Sequence, residues 1–179
     1  MKNIQLLEDF ILPYYRQKDI MHNIEHIKRI LNLSLEIARK YKNEIQKDLL
    51  VYGAYFHGVI YEEEIRRNIK NFLKGIGFSD EKIKRIIEVA DGSQKDGKPE
   101  SIEAKILHDA HLLEGGDTFL IVKSLITGSF RGQSLLETIE YLETNILNKH
   151  NCYLPENVEK YKEKEKFAFE FLCKLKPHI

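Results

Sequence analysis

Glu103-Ala104-Lys105-Ile106-Leu107-His108-Asp109-Ala110-His111-Leu112-Leu113-Glu114 is the stretch on which the fold is decided. It reads as an amphipathic helix. Pro99 and Ser101 stand just before Glu103, where a helix start takes a proline and a capping hydroxyl. The helix therefore runs over about 100–114.

Outward from it, apolar residues recur at helical spacing almost everywhere, and no clean two-residue alternation separates turn signals. The fold class is all-α. Helices are expected near 3–17, 22–42, 45–57, 62–75, 80–91, 100–114, 117–126, 133–148 and 156–175, with starts marked by Ser79 before Asp80-Glu81-Lys82 and by Asp117. Residues 91–99, polar and glycine-bearing, are expected to form a surface loop. In the last helix a Lys/Glu run over 159–166 reads as a solvated face, and Phe167, Phe169, Phe171 and Leu172 read as an end that docks on the core.

The 179 residues suit one domain over 1–179, with a core at about 21–126 and helices over 133–175 packing on it. Twenty-eight basic residues balance 28 acidic ones, so no excess of positive charge advertises nucleic-acid binding. No apolar stretch approaches the ~20 residues a membrane span needs. Cys152 and Cys173 lack metal-ligand spacing and read as reduced thiols. The N-terminal stretch MKNIQLLEDFILPYY has no signal-peptide features, and a cytoplasmic location is the expectation.

Histidine placement is the most informative feature. His22 and His26, four apart, would share a helix face. His57 ends the apolar run Leu49 to Phe56, in which Gly53 and Ala54 are small enough to let another helix approach closely. His108 and His111 share a helix with Asp109. Taken singly, His57, His108 and His111 each read more readily as hydrogen-bonded core residues than as ligands.

Taken together, the segments resemble the HD superfamily of metal-dependent phosphohydrolases, in its small bacterial and archaeal branch. The opening motif H-D-x-x-H-x-x-R-V stands as His22-Asn23-Ile24-Glu25-His26-Ile27-Lys28-Arg29-Ile30. A-x-L-H-D stands as Ala54-Tyr55-Phe56-His57-Gly58, and E-A-K-I-L-x-D-A-D-R-L-D as the stretch from Glu103 to Glu114. Arg131-Gly132-Gln133-Ser134 and the closing helix match in outline as well, so the resemblance runs from Met21 to Leu175. It implies a single helical bundle of the HD-domain type.

The resemblance also implies a ligand set and exposes its changes. His26 and His57 take metal positions, glycine replaces the name-giving aspartate at 58, and His111 replaces the second aspartate of D-A-D. If the register slips, Asp109 is the ligand instead. His22 is placed to touch a substrate phosphate. Three imidazoles suit Zn²⁺, Fe²⁺, Ni²⁺, Co²⁺ or Mn²⁺ better than Mg²⁺, which prefers oxygen. With ordinary pKa values near 6.5 they would compete with protons, and shed metal, between about pH 7 and pH 5. The expected activity is hydrolysis of a nucleotide or related small phosphate compound. The alternative is a catalytically inactive HD-domain protein that binds metal, nucleotide or a protein partner. Glu62, Glu63 and Glu64 read first as partners of a helix dipole.

Overall fold

The computed structural model describes residues 4–94 and 97–179. Among them it is all-α. Nine α-helices follow in order: α1 (Ile4–Tyr15), α2 (Ile24–Ile37), α3 (Lys47–Phe56), α4 (Glu63–Gly75), α5 (Asp80–Gly92), α6 (Ile102–Leu113), α7 (Gly116–Phe130), α8 (Leu135–Asn145) and α9 (Pro155–Leu175). Short 3₁₀ turns follow α2 at Ala38–Tyr41 and α9 at Lys176–His178. Of the expected loop over 91–99, residues 95 and 96 lie outside the described residues, as does residue 3 of the expected first helix. No described helix is long and apolar enough to cross a membrane.

Capping chemistry explains several boundaries. Ser79 accepts from the Lys82 N–H and Ser101 from the Ala104 N–H, which satisfies amide groups that have no partner inside the helix. Asp117 does not start its helix: α7 begins one residue earlier, and Asp117 lies in the first turn. That helix also runs four residues beyond the expected 126. Glu62 stands at the N-terminal cap of α4 and Glu63 and Glu64 fill its first turn, where carboxylates meet the positive end of the dipole.

One apolar cluster joins α1 to α6, with Leu7, Ile27, Leu50, Phe56, Ile69, Ile86 and Leu107 among its buried members. A second joins Ile121 of α7, Ile139 and Leu142 of α8, and Ala168 and Leu172 of α9. The end of α6 meets α9 in a third, Leu112 with Cys152 and Tyr161. α6 packs on α2, α3, α5 and α9 and so stands between the two larger clusters.

The reading of the last helix needs correction. Phe167, Phe169 and Phe171 are 38%, 54% and 38% exposed, whereas Lys164 and Glu165, inside the charged run, are buried. Helical period decides this. Tyr161, Lys164, Glu165, Ala168 and Leu172 form the inward stripe, and the three phenylalanines fall off it.

The small residue at 53 serves the close approach expected of it. A β-carbon there would lie 2.6 Å from Val89 Cγ1 and 3.3 Å from Leu107 Cδ2. Alanine in place of glycine ordinarily stabilises a helix interior by about 1 kcal/mol. Gly53→Ala should instead destabilise by about 1–3 kcal/mol, because overpacking dominates. Urea unfolding of Gly53→Ala, alone and with Val89→Ala, checks this: the second change should recover part of the loss.

Candidate metal centre

Three helices deliver one imidazole each. His26 sits in the first turn of α2, which Asn23 caps by accepting from the Glu25 N–H; His57 is the residue at which α3 ends; His111 lies in the last turn of α6. Their ring centroids are 5.2–5.5 Å apart. One ligand nitrogen from each lies within 4.8 Å of the others.

The partners of each Nδ1 assign the tautomers. His57 Nδ1 is 2.5 Å from the Ala54 carbonyl oxygen, and His26 Nδ1 is 2.9 Å from Glu114 Oε1. Oxygens of these kinds only accept, so each Nδ1 carries the proton and donates it. Burial lowers the imidazole pKa values to about 3 for His26 and about 4 for His57, so neither ring is an imidazolium near neutral pH. Both Nε2 atoms are then bare lone pairs, yet they face each other at 3.2 Å. Two such atoms repel unless a cation lies between them. The spacing is close to the ~3.4 Å of two nitrogens each ~2.1 Å from one tetrahedral ion. His111 Nδ1 is similarly aimed at a carbonyl, Ser93 O at 3.4 Å. Carboxylate or carbonyl acceptors behind each ring are the usual support of metal-ligating histidines, so this donor set fits a borderline transition metal.

Asp109 is not brought into this group. Its carboxylate accepts from the N–H groups of Tyr153 and Leu154 and from Asn157 Nδ2, at 2.7, 2.9 and 3.0 Å, on the far side of α6. Two residues along a helix is about 200° around it, so 109 and 111 cannot face one site. His108, beside it, packs edge-on to Tyr153 instead. His22 also departs from expectation, since it precedes α2 rather than sharing a helix face with His26. Its ring still lies 5.5 Å from that of His26, and its Nδ1 pairs with Asp19 at 2.9 Å.

Gly58 is explained by what lies opposite. A β-carbon at 58 would come 2.7 Å from the Tyr15 hydroxyl and 3.3 Å from two of its ring carbons. Tyr15 is buried, and its hydroxyl donates to the Tyr55 carbonyl. A phenol from α1 thus crowds the place where an aspartate side chain would begin.

Around the trio opens a cleft of about 560 Å³, with Lys18, Lys123 and Arg131 among its walls together with His22, Tyr61 and Gln94. Lys18 Nζ donates to the Gly58 carbonyl, and Gln94 Nε2 to that of His57. Behind His26, Glu114 is 2% exposed and is held by Arg29 Nε at 2.8 Å and Lys123 Nζ at 2.9 Å. Burial opposes ionisation of Glu114, but the hydrogen bond from His26 and the charge of Lys123 outweigh it and hold the carboxyl below its usual range. Sequence reasoning missed Glu114 and Lys123 as site residues. Glu114 matches the closing acid of the family stretch, a usable signal, whereas Lys123 lies in an ordinary amphipathic turn and gave none.

No protein-family model matches the chain, and no curated protein matches it. Solved structures do. Bacillus subtilis YpgQ in complex with ADP is similar with a TM-score of 0.70 and 20% identity, over 96% of this chain and 97% of that one. A Lactobacillus plantarum protein gives 0.81 at 14% identity, over 98% and 96%. An HD-superfamily hydrolase from Bacillus thuringiensis gives 0.66 at 15%, over 96% and 95%. The chain therefore shares its fold, along nearly its whole length, with these structures, an HD-superfamily hydrolase among them.

Two outcomes follow from this geometry. Because burial keeps His26 and His57 neutral in the fold while the unfolded chain protonates near 6.5, their contribution to stability is complete above pH 6.5 and is lost as pH falls toward about 4. Each can cost at most about 1.4 kcal/mol per pH unit in that window. Urea midpoints of chelator-treated protein at pH 7.5, 6.5 and 5.5 read it, and a flat profile would contradict the neutral assignment. The same burial moves proton competition for metal below the pH 7–5 window that ordinary imidazoles give.

The crowding at 58 predicts a coupled pair. Gly58→Asp should destabilise by about 1–3 kcal/mol with Tyr15 present, and by clearly less in Tyr15→Phe. A double-mutant cycle on unfolding free energy checks it; additive effects would mean that Tyr15 is not what excludes a side chain at 58.

Proposed function

We propose that this chain is an HD-superfamily member, a single domain over 1–179, that hydrolyses a phosphate ester or anhydride of a nucleotide or related small metabolite with a metal ion held by His26, His57 and His111. One observation carries the reading: the two bare Nε2 atoms facing each other at 3.2 Å, with His111 beside them. The ADP bound to Bacillus subtilis YpgQ, on the same fold, supports a nucleotide. Zn²⁺, Fe²⁺, Ni²⁺, Co²⁺ or Mn²⁺ suits three nitrogens better than Mg²⁺ does. When bound, such an ion supplies Lewis-acid activation of water and of a phosphoryl oxygen.

The chain's own residues do the rest. Lys18, Lys123 and Arg131 give the cleft an excess of positive charge that attracts and orients phosphate oxygens. Asp19 accepts from His22 Nδ1, which leaves Nε2 as the ring nitrogen able to take a proton. Burial and the nearby Lys123 lower the His22 pKa, so its neutral, accepting form prevails near pH 7. Glu114 fixes the His26 ring and supplies behind the ligand shell some of the negative charge that Gly58 and His111 no longer bring to it.

A second reading, a protein that binds metal and nucleotide without turnover, is favoured by the phenol of Tyr15 in the region where an acid would begin. The two are separated by metal analysis of protein purified without a histidine tag or added metal, followed by phosphate-release assays on nucleoside mono-, di- and triphosphates. We expect near-stoichiometric metal, release that a chelator abolishes, and loss of both in His57→Ala. Bound metal without release selects the second reading, and absence of metal overturns both.

A further inference from the structure

The cleft does not end at the trio. Behind it, among α6, α7, α8 and α9, lies a second pocket of about 120 Å³, and the two share His22, His111, Lys123 and Arg131. Sites for whole small ligands run to about 300–1,000 Å³, so this space holds part of a molecule whose remainder lies in the 560 Å³ cleft. The lining changes character along the way. Cations sit at the junction, in Lys123 and Arg131. Beyond it the walls include Phe119, Leu120, Tyr141 and Ile146, with Gln133, His150 and the hydroxyls of Ser124 and Thr138 among them; the Thr138 hydroxyl donates to the Ser134 carbonyl and so offers the pocket an acceptor.

Two charged groups also border the pocket, and both are already engaged. Glu114 is held by His26, Arg29 and Lys123, and Lys164 donates to the carbonyls of Leu112 and Glu114 at 3.0 and 2.5 Å. Glu114 is thereby neutralised and Lys164 is turned toward the backbone, whereas Lys123, with one contact to Glu114, and Arg131 also face the cleft. What the pocket asks for is an uncharged flat group with a polar edge, attached to an anion that lies toward the metal centre.

We propose that this inner pocket receives the base of a nucleotide whose phosphates lie in the cleft. The assignment rests on the phosphohydrolase reading above and adds the direction in which substrate lies. Apolar and aromatic walls take the ring faces, and the hydroxyls of Ser124 and Thr138 take its edge. Lys123 and Arg131 stand at the junction, whereas Lys164, the cation farther in, donates to the carbonyls of Leu112 and Glu114, so the phosphate is directed to the junction and the cleft rather than to the pocket's apolar walls.

The test compares nucleoside monophosphates carrying each common base with ribose 5-phosphate, by calorimetric titration into metal-loaded full-length protein. At least one nucleotide should bind about tenfold more tightly than ribose 5-phosphate, a difference of about 1.4 kcal/mol. Ser124→Phe, which fills the pocket from α7, should bring that nucleotide down to the affinity of ribose 5-phosphate while leaving metal content and ribose 5-phosphate binding unchanged. Tyr141→Ala, at a half-exposed position, removes a wall without threatening the fold and should lower nucleotide affinity alone. Equal binding of nucleotides and ribose 5-phosphate, or a preference that survives both substitutions, overturns the inference and leaves the phosphohydrolase reading standing. If neither compound binds and no phosphate is released, that reading itself fails.

Discussion

A carboxylate removed from water must be matched by charge and by hydrogen bonds, or it costs more than the fold can supply. Glu114 is in that position, immediately past the end of α6 and almost wholly buried. His26 of α2, Arg29 of α2 and Lys123 of α7 converge on its two oxygens, while Lys164 of α9 takes its carbonyl. One acid thereby ties four helices together at the place where the imidazoles meet. The ring of His26 has its orientation and tautomer from this contact, and the cleft has the position of Lys123.

The same arrangement changes the electrostatics of the centre relative to the family it resembles. Two carboxylates bound directly to a cation would neutralise it. Here the three imidazoles would bring no negative charge, and the single acid behind them already answers two cations, Arg29 and Lys123. A divalent ion held there would keep most of its charge, with Lys18 and Arg131 against one cleft acid, Asp19, nearby. Such a centre favours anionic ligands and polarises them strongly, at the expense of a ready carboxylate to take up protons.

Much of the fold was legible because it rests on local rules. Ser79 and Ser101 announce helices that begin where they stand, and Gly53 announces a close contact with Val89 that no larger side chain would permit. The choice between Asp109 and His111 was legible in principle too, since helical geometry forbids both from facing one site. What could not be read depended on neighbours distant in sequence. Nothing near Gly58 reveals that Tyr15, 43 residues earlier, occupies the adjoining space, and nothing near Lys123 reveals Glu114. The phenylalanines of α9 misled for a different reason: hydrophobicity suggested burial, but the stripe set by Tyr161, Ala168 and Leu172 passes between them. Burial follows angular position on the helix first.

Asp109, which takes no part in the imidazole cluster, has an effect of another kind. Its buried carboxylate receives two backbone amides from the segment that leads into α9 and one side-chain amide from the first turn of α9 itself. Peeling α9 away would strand that carboxylate beside Cys152 and His108 with its donors gone, so detachment of the last helix and opening of the end of α6 are energetically one event. In amide hydrogen exchange the start of α9 and the last turns of α6 should therefore belong to a single cooperative unit. The last helix would thus exchange with the helix that carries His111 rather than by itself.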